Sequence, residues 1–398
     1  MKNLLPAGLM LALLSMAFMP AMANAADNRP SVLPAIKAPI LYTHATYYAS
    51  DRYFMQSAAL RRVNPATGLV TPLTPRKNGI FYLGGSWSPN GNRFVYERAT
   101  EAMNDRSKLF TADKYGASRM LLTPTLGKYQ QATWGPGRLI AFIDATRQCL
   151  SSVRPDATGL RTLFCPTFMD NSLEIVWQDP QWTPDGKAIV LQVGQWVESG
   201  LALDWYTSVY RVNAATGNAR LIFRQKQAEQ DMQLAISPDG TQGVYSLVSD
   251  MIRVDFRTGK QTTVTRPDAG VGASYSEHYS PDGKHIAFAH HFSLDDPDHK
   301  EHVIGYIGIY VMRADGTHMR MINVERNNNL EQTIQIQTSV AGWSGDGSQV
   351  LLNRTCAHLE HGEYVPYPSL RMVDVATRKV VPLDHAKGFA GEGAWFQH

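Results

Sequence analysis

The chain has 398 residues, with 38 lysines and arginines against 35 aspartates and glutamates, a formal net charge of +3. Hydrophobic residues make up 44% and charged residues 18%, and the 31 glycines and 22 prolines are spread along the chain rather than clustered. That balance excludes a disordered or collagen-like polymer, and without a long run of lysine and arginine it gives no nucleic-acid partner.

Residues 1–25 read as a secretory signal peptide: Lys2, an apolar run from Leu4 to Phe18, then Ala23-Asn24-Ala25 with cleavage after Ala25. The run is too short to span a bilayer comfortably, and no later stretch approaches the roughly 18 apolar residues a membrane helix needs. No cysteine follows it to carry a lipid. A periplasmic or secreted protein is expected, beginning with a short extension at 26–37.

The first strand signal, Ile40-Leu41-Tyr42-Thr43, lacks a strand of its own before it. From there two patterns alternate. One is a strand, a tight turn and a strand: Trp87-Ser88-Pro89-Asn90-Gly91, Trp182-Thr183-Pro184-Asp185-Gly186, Ile236-Ser237-Pro238-Asp239-Gly240, Tyr279-Ser280-Pro281-Asp282-Gly283 and Trp343-Ser344-Gly345-Asp346-Gly347, with a shortened copy at Trp134-Gly135-Pro136-Gly137. Successive copies start 47, 48, 54, 43 and 64 residues apart, the spacing of propeller blades. Proline at the second turn position, a side chain that bonds the local backbone and a left-handed glycine explain the turn without any chemistry. The runs that follow, such as Phe94-Val95-Tyr96 and Ile189-Val190-Leu191, are apolar on both faces, as strands sandwiched between blades must be.

The second pattern is an outer hairpin ending in a turn such as Thr67-Gly68, Thr216-Gly217 or Asp315-Gly316, and there are seven of them. A truncated first strand, Gly393-Ala394-Trp395-Phe396, closes the chain. The expectation is therefore an all-β seven-bladed propeller over 38–398, with six blades as the rival, closed by the C-terminal strand pairing with the N-terminal blade. The repeats resemble those of the TolB-type propeller, a relative of the WD repeats, which also occur in prolyl-peptidase-type enzymes and oligogalacturonate lyases. Only about a dozen residues precede the first strand after Ala26, too few for the α/β domain before the propeller in TolB, and no Gly-x-Ser-x-Gly elbow marks a hydrolase domain.

Cys149 and Cys165 bracket a hairpin that puts them opposite each other; in an oxidising compartment they form a disulfide or remain buried thiols, and Cys356 is left over. The connections between second and third strands are expected as long irregular loops at 45–57, 98–107, 194–206, 291–305 and 354–369, all on one face, which makes that face the binding surface. Tyr47, Tyr48, Tyr53, Trp196, Trp205, Tyr206, Tyr364 and Tyr367 are its partner-binding candidates, as rings that stack on sugars or anchor a protein, or else pack beneath their own loops. His278, His290, His291, His358 and His361 are candidate ligands for a divalent metal, although no tight zinc spacing accompanies them and no cofactor is otherwise expected.

These features read as a non-enzymatic, monomeric propeller with no catalytic residue, docking a protein or glycan of the cell envelope through its loop face. The resemblance to TolB implies a partner of the peptidoglycan-associated lipoprotein type. The alternative, implied by the resemblance to oligogalacturonate lyases, is a metal-dependent polysaccharide lyase that uses the loop-face histidines, a reading that lysines and arginines lining the channel would favour.

Overall fold

The computed structural model describes residues 39–47, 55–100, 106–200, 202–227, 233–247, 250–265, 272–295, 303–326, 334–360, 363–383 and 389–395. For some strand residues, among them Tyr47, His358, Tyr364 and Tyr367, it describes the backbone alone. Every regular element among the described residues is a β-strand, and hydrogen bonding arranges the strands into six sheets. Five are self-contained blades: sheet 2 (129–164), sheet 3 (172–227), sheet 4 (235–265), sheet 5 (272–326) and sheet 6 (334–382). Sheet 1 is an eight-stranded composite that runs from Phe389–Trp395 through Ile40–Tyr47 and Met55–Val63 to Phe81–Trp87, Arg93–Ala99, Ser107–Asp113 and Met120–Leu121, with Val70–Pro72 also paired to Met55–Val63.

Seven separate four-stranded blades are therefore not what forms, and neither are six: the architecture is five discrete blades and one composite sheet. The junction within the composite is a parallel pairing of Ala58 with Phe81, where the Ala58 amide donates to the Ile80 carbonyl at 3.3 Å. Ala45, Ala58 and Ala99 pack around Phe81, and side chains this small let the two backbones meet. Sheet 3 departs differently. Its inner strand is split into Ser172–Trp177 and Gln181–Trp182, separated by Pro180, which has no N–H to continue the ladder. The strand Phe389–Trp395 pairs antiparallel with Ile40–Tyr47, so the first blade's inner strand comes from the C-terminal end.

The repeated turns hold themselves. Thr183, Ser237, Ser280 and Ser344 each donate a hydroxyl hydrogen bond to the aspartate two residues on, at 2.6–2.7 Å, and the closing glycines lie at positive φ. The outer turns do more: Gly116 and Gly217, at φ of +81° and +79°, lie so close to the preceding blade that a Cβ would fall 2.0 and 2.3 Å from the carbonyl oxygens of Leu73 and Leu163. Glycine is thus required there twice, by its dihedral and by the approach. The stacked pair Phe223–Tyr245 between sheets 3 and 4, and the pair Phe288–Tyr310 that sheet 5 turns towards sheet 4, join aliphatic clusters in a series of inter-blade cores.

Candidate functional site

The inner strands are interrupted by a recurring β-bulge, with register shifts at Leu83/Ser86, Gln130/Thr133, Tyr275/His278 and Val340/Gly342. At each, a residue turns to positive φ: Gly84, Gln131, Ser276 and Gly342. Gln131 and Ser276 are not glycine, so these two bulges carry backbone strain held by their surroundings. The bulges pass hydrogen bonds from blade to blade. The Gln131 amide donates to Glu97 Oε1 at 2.5 Å and its side-chain Nε2 to the Trp177 carbonyl at 2.8 Å, while Ser276 Oγ accepts from the Val340 amide at 3.0 Å.

Glu277, next in line, is wholly buried and accepts a short hydrogen bond from Ser246 Oγ of the neighbouring blade. Its Oε2 has no partner among the described residues. Burial pushes its carboxyl up to about 7, against the opposing pull of the Ser246 bond.

Above this layer the second and third strands differ greatly in height. In sheet 3 their pairing runs from the level of Ile189 to Ser199↔Ala202, and in sheet 5 from Ile286 to Asp295↔Val303. In sheet 4, lying between them, it runs only from Gly243 to Leu247↔Asp250. Five or six extra residues at about 3.3 Å each raise the flanking hairpins roughly 17–20 Å above sheet 4. Within the segments expected as irregular loops at 194–206, 291–305 and 354–369, residues 194–199, 202–206, 291–295, 303–305, 354–360 and 363–369 are thus paired β-strand instead, those of sheet 6 pairing equally far. Salt bridges brace two of them: Lys226–Asp204 at 2.7 Å in sheet 3, and Glu325 between Arg354 at 2.5 Å and Arg371 at 3.2 Å where sheet 6 meets sheet 5. Burial and the neighbouring Arg354 lower the Arg371 pKa, the Glu325 carboxylate opposing them.

Strand alternation decides what the facing walls present. On sheet 3, Val190 and Val209 face sheet 4, and the same sides carry Trp196, Trp205 and Leu203 upward. On sheet 5, Phe288 and Tyr310 face sheet 4, and His290, Phe292, Leu294 and Tyr306 continue that side. Near the crests Leu203 and Leu294 are 56% and 51% exposed. The described residues therefore form a recess over sheet 4 with aromatic and aliphatic walls, and the Ser246–Glu277 pair is buried between sheets 4 and 5.

Among the aromatic candidates, Trp196 and Trp205 meet edge to face at 5.2 Å, but Trp205 is buried, covers Gly194 and donates Nε1 to Thr207 Oγ1 at 3.2 Å, so it supports the wall rather than its surface. Trp196 and Tyr206 remain partly exposed. Tyr47 ends the strand Ile40–Tyr47, and Tyr364 and Tyr367 lie in Glu363–Asp374, with their side chains outside the described set. Tyr48, Tyr53 and His361 lie outside the described residues.

The histidines do not converge. His278 is in register with Ala287, whose methyl belongs to the core between sheets 5 and 6; His290 is in register with Ser274 and packs on Phe292 and Tyr310 towards sheet 4. The two imidazoles point to opposite sides of one sheet. His290 Nδ1 lies 2.9 Å from Ser274 Oγ and His278 Nδ1 lies 3.2 Å from the Ser276 carbonyl. His291 continues the side facing sheet 6 and is partly buried, which lowers its pKa. His358 lies in Gln349–Glu360 with its side chain outside the described set. Among the described residues no three His, Cys, Asp or Glu side chains gather as a metal site. Among the described residues the innermost strands carry Glu174, Glu277 and Glu392 and no lysine or arginine. Cys149 and Cys165 are joined in a disulfide, which does not include Cys356.

No family model matches the sequence, and no curated protein sequence matches it. Among solved structures, an oligogalacturonate lyase in complex with manganese superposes with a TM-score of 0.54 at 13% identity, over 87% of this chain and 85% of that one. The β-propeller domain of the Trilobed protease from Pyrococcus furiosus, which has an open velcro topology, gives 0.52 at 11% identity over 92% and 97%. A putative TolB from Agrobacterium tumefaciens gives 0.41 at 14% identity over 73% and 90%. The chain shares the β-propeller fold. Its ring is joined by Phe389–Trp395, and no helix among the described residues is long and apolar enough to cross a membrane.

Proposed function

We propose that this chain is an exported, non-catalytic propeller that docks a protein or glycan of the cell envelope in the recess over sheet 4. The observation that carries this reading is the height difference between the sheet 3 and sheet 5 hairpins and sheet 4, which lines a cleft with partly exposed Trp196 and exposed Leu203 and Leu294. Rigid aromatic and aliphatic side chains on regular hairpins suit a preorganised docking surface, because little side-chain entropy is lost on binding. Exposed Leu pairs beside tryptophan favour a protein surface over a sugar. A partner of the peptidoglycan-associated lipoprotein type fits this chemistry and an exported destination. A lyase acting on acidic sugars fits less well, because the inner strands offer carboxylates where uronates need cations.

The test is titration calorimetry of the mature protein against the soluble domain of the host's peptidoglycan-associated lipoprotein and against soluble peptidoglycan fragments. Trp196→Ala combined with Leu294→Ser is expected to weaken the binding at least tenfold while leaving the melting curve within a few degrees. Binding that is unaffected by the double variant, or no binding to either probe, sinks the proposal.

A further inference from the structure

On the opposite face, where the short turns gather, the blades are tied by arginines. Arg161 of sheet 2 donates Nη2 to the Ala214 carbonyl at 2.8 Å in the outer turn of sheet 3, and Arg220 of sheet 3 donates both terminal nitrogens to the Phe256 and Arg257 carbonyls in the outer turn of sheet 4. Within sheet 1, Arg62 reaches the Lys114 carbonyl at 2.9 Å. Arg161 and Arg220 occupy the same place in the outermost strand, each opposite a third-strand residue two positions before the turn: Arg161↔Ser152 and Arg220↔Arg211. In sheet 4 that register is Thr262↔Arg253. Sheet 4 thus carries threonine at the register where sheets 2 and 3 carry arginine, and a groove of about 480 Å³ opens there, lined by Gln242, Arg253, Asp255, Arg257, Lys260 and Thr262.

Every residue that lines the groove belongs to sheet 4, and alternation puts Arg253 on the side of Met251 and Val244, which pack against Tyr279 of sheet 5. Arg253 is partly buried, and among the described residues it makes no hydrogen bond or ion pair. A guanidinium in that setting presents a planar fork of donors suited to an oxyanion. The nearby carboxylate does not satisfy it: Asp255 Oδ1 already accepts from the Arg257 and Thr258 amides and from Thr258 Oγ1, at 2.7–2.9 Å. Three cations against one committed carboxylate leave the groove with two net positive charges, the complement of a phosphate monoester, which carries about −1.5 to −2 near neutrality. Its volume lies within the range of small-molecule sites.

The geometry points to a binding site for a small soluble phosphate monoester in this groove, with Arg253 as the fork, Arg257 and Lys260 as flanking charges, and Thr262 and Gln242 as neutral hydrogen-bonding groups. The site is separate from the loop-face recess and does not depend on it.

Calorimetry and ³¹P line broadening with glycerol 1-phosphate, inorganic phosphate and D-galacturonate test the assignment on the whole mature chain. Glycerol 1-phosphate is expected to bind at least tenfold more tightly than galacturonate, and Arg253→Gln to lose at least tenfold of that affinity. Thr262→Arg restores the residue that Arg161 and Arg220 represent in their sheets, so it should fill the groove and abolish binding without lowering the melting temperature. Because that variant is expected to stay folded, it keeps the test decisive if Arg253→Gln is unstable. Equal binding of galacturonate, affinity that survives either variant, or no binding of a phosphate ester at millimolar concentration overturns the site.

Discussion

At the scale of single residues, the least comfortable group is Glu277, a carboxyl sealed between two blades with one oxygen bonded to Ser246. Its folded pKa of about 7 lies above the unfolded value near 4.5. For a raised acid, the full stability is present below the unfolded pKa and is lost as pH rises through the folded one. Stability should therefore fall between about pH 4.5 and 7, by on the order of 3 kcal/mol if the whole shift is realised. Glu277→Gln, which removes the charge and keeps the shape, is expected to melt above the parent protein at pH 8 and level with it at pH 5; calorimetric scans at the two values decide, and an equal offset at both would refute the assignment. Sequence alone did not single out Glu277, because a glutamate two residues before a repeated turn looks like any solvated strand residue. A signal was nevertheless present: counted back from each turn motif, the same positions hold Gly84-Gly85, Gln131 and Ser276, residues that accept or are forced into a bulge. The histidines erred in the other direction. His278 and His290 are close in sequence, but the parity of a β-ladder sends them to opposite faces, and counting residues without the register does not reveal that.

At the scale of elements, turns were legible and tall hairpins were not. Ser-Pro-Asp-Gly fixes its own geometry through local hydrogen bonds, so its meaning survives without tertiary context. Residues 194–206 read as a loop because Gln195, Glu198, Ser199 and Asp204 interrupt the apolar residues among them, so neither the doubly apolar pattern of the core nor strict alternation marks the segment. The outer turns allow a sharper experiment. Gly217→Ala meets both a positive φ and the Leu163 carbonyl at 2.3 Å, whereas Gly68, at φ +68°, has nothing within 4 Å of a new Cβ. Gly68→Ala should cost about 1 kcal/mol from the dihedral, and Gly217→Ala a further 1–3 kcal/mol because two blades must separate. Urea titrations of the two variants side by side give the comparison; equal costs would mean that the close approach is absent in solution.

At the scale of the whole molecule, the repeat period carried the propeller fold, but the number of independent blades could not be read from it. Whether two neighbouring blades stay apart depends on alanines at Ala45, Ala58 and Ala99, which no blade motif includes. The covalent tie within sheet 2 belongs to this scale as well, since it limits the unfolded chain. Cys149→Ser with Cys165→Ser is expected to cost about 2–4 kcal/mol, for a sequence separation of 16. Dithiothreitol should lower the melting temperature of the parent by the same amount and leave the double variant unmoved. A final consequence follows from the strand Phe389–Trp395 lying against Ile40–Tyr47. Neighbouring strands elsewhere in the disc are mostly joined by a nearby turn or link, whereas these two meet only across all the intervening sheets, so until the ring closes Ile40–Tyr47 presents a bare β-edge. The latch is thereby the longest-range pairing in the molecule, and the protein stays unlatched, and receptive to a holding chaperone, until the sheets between its two strands have formed.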